Sequence, residues 1–182
     1  FKKKLRWKDD EKWFDCGGVS VLMYAVISDE ANVVRELLQE LKQNSNDVKY
    51  TRRLKSRVRD EGYVALGIPG GTTTLMAAMM TASPEIVSML LEYGTNVSNV
   101  DVMGNDAFMF ASSMARPDNL QCWLQRVKDW DLNGINSIFG SPAFSQAVYM
   151  GANKLETVKV LLNAGARLDY RTFSGGTVLT GA

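Results

Sequence analysis

The chain has 182 residues, 46% hydrophobic and 23% charged, with a formal charge of +1, as expected of one globular domain with a real core. No apolar run approaches the roughly 20 residues needed to cross a bilayer, and no charged head, apolar stretch and small-residue cleavage site make a signal peptide. The absence of histidine removes the commonest general base, the Ser–His and Cys–His nucleophile pairs and the usual zinc sites.

Residues 1–16 form a mixed-charge segment. Lys2, Lys3, Lys4, Arg6 and Lys8 alternate with Leu5 and Trp7, and Asp9-Asp10-Glu11 follow. That acidic run beside basic residues reads as a solvated segment rather than a metal site. The chain begins with Phe and its last residue falls inside a repeated motif. It is therefore expected to be an interior piece, a processed chain, or the ordered part of something longer, with room for a targeting sequence upstream.

From residue 17 onward one motif recurs. Gly18–Ala25 is matched by Gly71–Ala78, Gly104–Ala111 and Gly140–Ala147, and a fifth copy starts at Gly175. From Leu22 through Leu75, Phe108 and Phe144 to Leu179, the successive spacings are 53, 33, 36 and 35. A period near 33 predicts a stack of repeats over residues 17–182. The repeats fall near 17–66, 70–102, 103–138 and 139–173, with a partial fifth at 174–182.

Each copy sets a glycine, able to take the positive φ of a tight turn, two residues before Ser20, Thr73, Asp106, Pro142 or Thr177. Ser, Thr and Asp are good N-caps, and Pro142 suits a first helical turn. A large apolar residue (Leu22, Leu75, Phe108, Phe144) and a small one three positions later (Ala25, Ala78, Ala111, Ala147) share a helix face. The small residue permits close approach by a second helix. That helix is predicted around Asn32–Leu38, Glu85–Leu91, Asn119–Leu124 and Glu156–Leu162, each with apolar pairs three to four apart. Gly94 and Gly165 are placed as left-handed C-caps, and β-like stretches follow at Thr95–Ser98 and Ala166–Asp169.

The pattern resembles the ankyrin repeat. Thr73-Thr74-Leu75-Met76 and Thr177-Val178-Leu179-Thr180 are similar to the family's T-P-L-H-x-A region but lack its proline and histidine. Glu85–Gly94 and Glu156–Gly165 keep its second-helix pattern well. The resemblance implies an all-α, ankyrin-like helix-turn-helix repeat solenoid with projecting loops, about four repeats plus a truncated fifth. Without Thr-Pro and His, the ties between neighbouring turns are expected to weaken and the stack to be irregular, with small insertions near Trp130 and near Gly151–Lys154.

The first spacing exceeds 33 by 20 residues, placing an insertion at about 40–66. It holds Lys49, Arg52, Arg53, Lys55, Arg57 and Arg59, with no acid until Asp60. Residues 1–8 and 49–60 each carry +5, which leaves −9 for the remainder and makes the field asymmetric. Tyr50, Leu54 and Val58 at i, i+4 and i+8 would stripe a basic helix suited to a membrane surface or partner groove. The bland reading is a solvated loop, or an extended second helix whose arginines pair with the acidic body of the same chain. Nucleic acid is the weaker expectation, because only Tyr50 and Trp7 supply stacking rings.

The resemblance places partner binding on loop tips and first helices. The tips align as Val100–Met103, Asn136–Phe139 and Tyr170–Phe173. The candidate partner-binding residues are Val102, Met103, Ile138, Phe139, Tyr170 and Phe173 on the tips, with Phe110, Met114, Gln146 and Met150 on the adjoining helix face. Nine methionines suit an adaptable surface. The alternative is that the tip residues pack on one another between repeats.

Gly67–Thr74 is glycine-rich but lacks the Gly-Lys-Ser/Thr ending of a phosphate loop, and its glycines already serve a repeat turn. No constellation supports catalysis, and no cofactor or metal is expected. Cys16 and Cys122 belong to different repeats, beyond the about 7 Å Cα separation a disulfide allows, which fits a reducing intracellular compartment, cytoplasmic by default, with an organelle open. The expected function is a non-catalytic protein–protein interaction module: a scaffold, adaptor or docked subunit of a larger assembly. The alternative is an electrostatic anchor that uses the basic insertion on an acidic protein, lipid or nucleic-acid surface.

Overall fold

A computed structural model describes residues 20–43, 68–150 and 154–178. The N-terminal basic segment, Lys49–Arg59, the insertion at Gly151–Asn153 and Leu179–Ala182 lie outside the described residues.

Eight helices are described: α1 (Val21–Ile27), α2 (Ala31–Gln43), α3 (Thr74–Thr81), α4 (Pro84–Tyr93), α5 (Ala107–Ser113), α6 (Pro117–Arg126), α7 (Ala143–Met150) and α8 (Lys154–Asn163). Local chemistry sets their ends. Ser20, Thr73 and Asp106 stand in extended conformation and accept the amides of Met23, Met76 and Met109 at 3.1, 3.2 and 2.7 Å. Each such cap satisfies an otherwise orphaned amide and is worth about 1 kcal/mol. Pro84 and Pro117 open α4 and α6, where the missing amide costs nothing. Gly94 closes α4 at φ 88°, its amide reaching the carbonyls of Leu90 and Leu91.

Two local expectations need correction. Thr95–Ser98 and Ala166–Asp169 are not strands; no strand occurs among the described residues. Side chains impose turns instead: Asn96 accepts the Ser98 amide at 2.9 Å, and Asp169 takes the Arg167 guanidinium. Pro142 lies one residue before α7, its carbonyl accepting the amides of Ser145 and Gln146.

The helices form two rows. α1, α3, α5 and α7 pack in sequence, α2, α4, α6 and α8 pack beside them, and within each unit the first helix lies against the second. Ala25, Ala78, Ala111 and Ala147 are buried where the rows meet, as small residues at a close crossing must be. Every residue from Thr74 to Met80 and from Ala107 to Ser113 is buried. A helix apolar on all sides is one enclosed on all sides. The second helices bury narrower stripes, such as Val34, Leu38 and Leu41 on α2. Trp123 sits fully buried, 6.1 Å from Phe108 and 5.0 Å from Trp130 edge-on, so the third-repeat insertion is anchored through Trp130. The architecture is a helical-repeat solenoid. No described helix is long and apolar enough to cross a membrane.

The ties between units use residues outside the repeat pattern. Asn119 is buried and donates its amide to the carbonyls of Ala78, Met79 and Ala82 at 3.4, 3.3 and 3.0 Å. Arg116 also reaches Ala82, at 2.5 Å. Asp29 accepts the Ser83 amide at 2.7 Å. On the outer row Arg35 pairs with Glu85, and Arg126 with Glu92 at 3.0 Å. These exposed pairs contribute little each.

Candidate functional site

The loops between units project as hairpin tips, and each is closed by the same device in different residues. Asp101 donates its amide to the Asn105 carbonyl at 2.9 Å, while its carboxylate accepts the amides of Met103 and Asn105 at 2.9 and 2.7 Å. Asn136 donates to Ser141, and its side-chain oxygen accepts from Phe139 and Ser141 at 3.0 and 3.1 Å. Thr172 donates to Gly176, and its hydroxyl accepts the Gly176 amide at 3.1 Å. A short oxygen-bearing side chain that folds back on its own turn holds the loop without help from a strand.

Neighbouring tips are then laddered. The Val102 amide donates to the Gly70 carbonyl at 3.2 Å, the Ser137 hydroxyl to the Met103 carbonyl at 3.2 Å, and the Phe173 amide to the Phe139 carbonyl at 3.0 Å. The side-chain oxygen of Asn105 accepts from both Asn136 and Gln146, at 2.9 and 2.8 Å. The approach requires glycine twice. A Cβ on Gly104 (φ 78°) would lie 2.5 Å from the Ser137 amide nitrogen, and one on Gly140 (φ 64°) 2.6 Å from the Phe173 ring.

This backbone displays large apolar groups. Val102, Ile138, Phe139 and Phe173 are 49, 52, 52 and 66% exposed, while Met103 and Tyr170 are half-buried. Burial pushes the Tyr170 phenol above its usual range. The adjoining helix residues divide. Met114 and Met150 are exposed at the C-terminal ends of their helices, whereas Phe110 and Gln146 are buried, Gln146 tying its helix to Asn105. Phe110 lies on a first helix whose every residue is buried, and Gln146 on the buried stretch Ala143–Ala147 of α7, so helical spacing alone assigns both to an accessible face they do not have. The six basic candidates, Lys49, Arg52, Arg53, Lys55, Arg57 and Arg59, lie outside the described residues.

Sequence reasoning misses Asn105, Asn119 and Asn136, which do much of the tying between units. The turn glycines set Asn136 opposite Val100 rather than Asp101, so no sequence signal points to them. Asp106 carries the largest electrostatic perturbation at the tips. Burial raises its carboxyl to about 6, with Asp101 and Asp131 adding to the rise and the amides of Met109 and Phe108 opposing it. The arrangement caps a helix beside a loop. Among the described residues no group of three His, Cys, Asp or Glu is placed to hold a metal.

Fold and tips together define a helical-repeat protein with an apolar row of projecting loops. No protein-family model matches the chain. Over 112 residues, 60% of its length, it is 29% identical to the phosphocholine transferase AnkX of Legionella pneumophila, an ankyrin-repeat-containing protein. The matched stretch spans 12% of AnkX.

Proposed function

We propose that the chain is an ankyrin-like, non-catalytic module that binds another protein across its loop tips. The observation that carries this reading is the row Val102, Ile138, Phe139 and Phe173, exposed on a backbone that neighbouring turns hold by hydrogen bonds. Apolar side chains on scaffold-positioned loops need covering, and prior fixation of the loop spares the ordering cost of binding. The similarity to AnkX supports the repeat type; the transferase activity in that protein's name is not carried over.

The experiment is a two-stage binding assay. Proteins co-purifying from the native source are identified, and the strongest is purified and titrated against the wild type and an Ile138→Ser/Phe139→Ser variant. The expected result is at least a tenfold rise in Kd, about 1.4 kcal/mol, with melting temperature within roughly 2 °C of wild type. Unchanged affinity with a collapsed melting temperature would show that these side chains serve the stack instead.

A further inference from the structure

The apolar tip row has an acidic edge. In the stretches Val97–Asp106 and Lys128–Ser141 four carboxylates, Asp101, Asp106, Asp129 and Asp131, stand against one lysine, Lys128. Asp101 and Asp106 accept amides of their own turn and helix. Asp129 and Asp131 are exposed, and no ion pair reaches either among the described residues. Asp131 lies close enough to Asp106 for its charge to raise that carboxyl, and Asp101 adds to the rise, so the three share one negative field. The next tip differs. There Arg167 closes onto Asp169 at 2.8 Å, and Arg171 remains as an exposed cation bonded to the Gly175 carbonyl.

Exposed apolar side chains adjoin the acidic edge. A Cβ on Gly134 would lie 3.7 Å from the Asp131 carboxylate, and the following residue, Ile135, is 51% exposed. Ile135 bridges to Pro142, which sets it on the stem of the tip that carries Ile138 and Phe139. Unpaired acids beside aliphatic and aromatic anchors disfavour an acidic partner and favour one whose Lys or Arg flank apolar residues.

We infer that the tips receive a cationic amphipathic segment of a partner protein, its apolar side chains on Ile135, Ile138 and Phe139 and its Lys or Arg on Asp129 and Asp131. The inference rests on the tip-binding reading above and adds the partner's charge. It also adds an orientation, because Arg171 on the next tip repels the cationic end.

The test selects a random phage-displayed peptide library against the full chain and two variants, Asp129→Asn/Asp131→Asn and Ile138→Ser/Phe139→Ser. Asparagine tolerates the left-handed backbone of Asp129 (φ 55° or below, at 54°) and at 131 keeps an acceptor for the Asn133 amide, so melting temperature should stay within roughly 2 °C of wild type. Peptides enriched on the wild type should combine apolar residues with an excess of Lys and Arg over Asp and Glu. The leading peptide should bind the Asn pair at least about fivefold more weakly in about 50 mM salt and less than about twofold more weakly in about 500 mM. Peptides without that excess, or an affinity indifferent to the Asn pair, overturn the inference and leave the tip reading standing. No enrichment, or enrichment that survives Ile138→Ser/Phe139→Ser, overturns both. A dimer of the chain that the Asn pair makes monomeric in sedimentation would put a second copy on this surface. Peptide affinity that rises when Arg52, Arg53, Arg57 and Arg59 become Gln would put the chain's own basic segment there. Either result overturns the assignment to a partner protein.

Discussion

Asp106 offers the sharpest test of the tip electrostatics. Its carboxyl is raised from 3.8 to about 6, first by burial and then by Asp101 and Asp131, against two helix amides. A folded pKa above the unfolded one means that the folded state holds the proton more tightly. The contribution is therefore fully present below about pH 3.8 and lost as pH rises through about 6. By that linkage the wild type gains about 2 kcal/mol between pH 7.5 and 4.5 relative to a variant with no ionisable group there. Asp106→Asn is that variant, since asparagine caps as well as aspartate and can still accept from Met109. Urea unfolding followed by circular dichroism at both pH values should show the variant more stable at pH 7.5, with the advantage shrinking by about 2 kcal/mol at pH 4.5. Subtracting wild type from variant cancels every other titrating group. A pH-independent difference, or a variant less stable at pH 7.5, would mean that the amides and the positive end of the helix outweigh burial.

Three further outcomes are expected, two from the geometry and one from the charge of the insertion. Gly140→Ala combines a left-handed backbone with a contact on the Phe173 ring and should cost about 1–2 kcal/mol, read as a fall in urea midpoint at constant m. Asn119→Ala removes a buried amide that donates to the carbonyls of Ala78, Met79 and Ala82, of which the first and last keep the Ala82 amide and the Arg116 guanidinium as donors, and should cost about 1–3 kcal/mol in the same assay. Arg52, Arg53, Arg57 and Arg59 together changed to Gln should abolish salt-sensitive co-sedimentation with anionic liposomes if the insertion is an anchor, and should leave partner affinity unchanged if the tips alone bind.

Much of the fold was legible because it is fixed locally. A cap contacts an amide three residues away, as Ser20 does with Met23, and a left-handed glycine such as Gly94 ends its own helix. The period then orders the units. The ties between units were not legible, because Gln146 reaches Asn105 across 41 positions and Asn119 reaches Ala82 across 37. No periodicity encodes such pairs. The tips were half legible. Turn glycines locate them, and Val102, Ile138, Phe139 and Phe173 stand exposed as read. Phe110 does not, because a seven-residue helix flanked by α3, α6 and α7 has no accessible stripe.

The polar ties between units and tips rest on Asn105, Asn119, Asn136 and Gln146, of which Asn119, Asn136 and Gln146 are buried and Asn105 half-buried. Buried amides of this kind are costly to leave half-satisfied, so these positions tolerate little change. The tip side chains are under the opposite constraint. Their backbones are held by Asp101, Asn136 and Thr172, so Val102, Ile138 and Phe139 can be replaced without unfolding the turn that carries them. A surface whose side chains are separable from its support can change partner specificity while the stack stays fixed, and substitutions at the two sets of residues should accordingly separate affinity from stability.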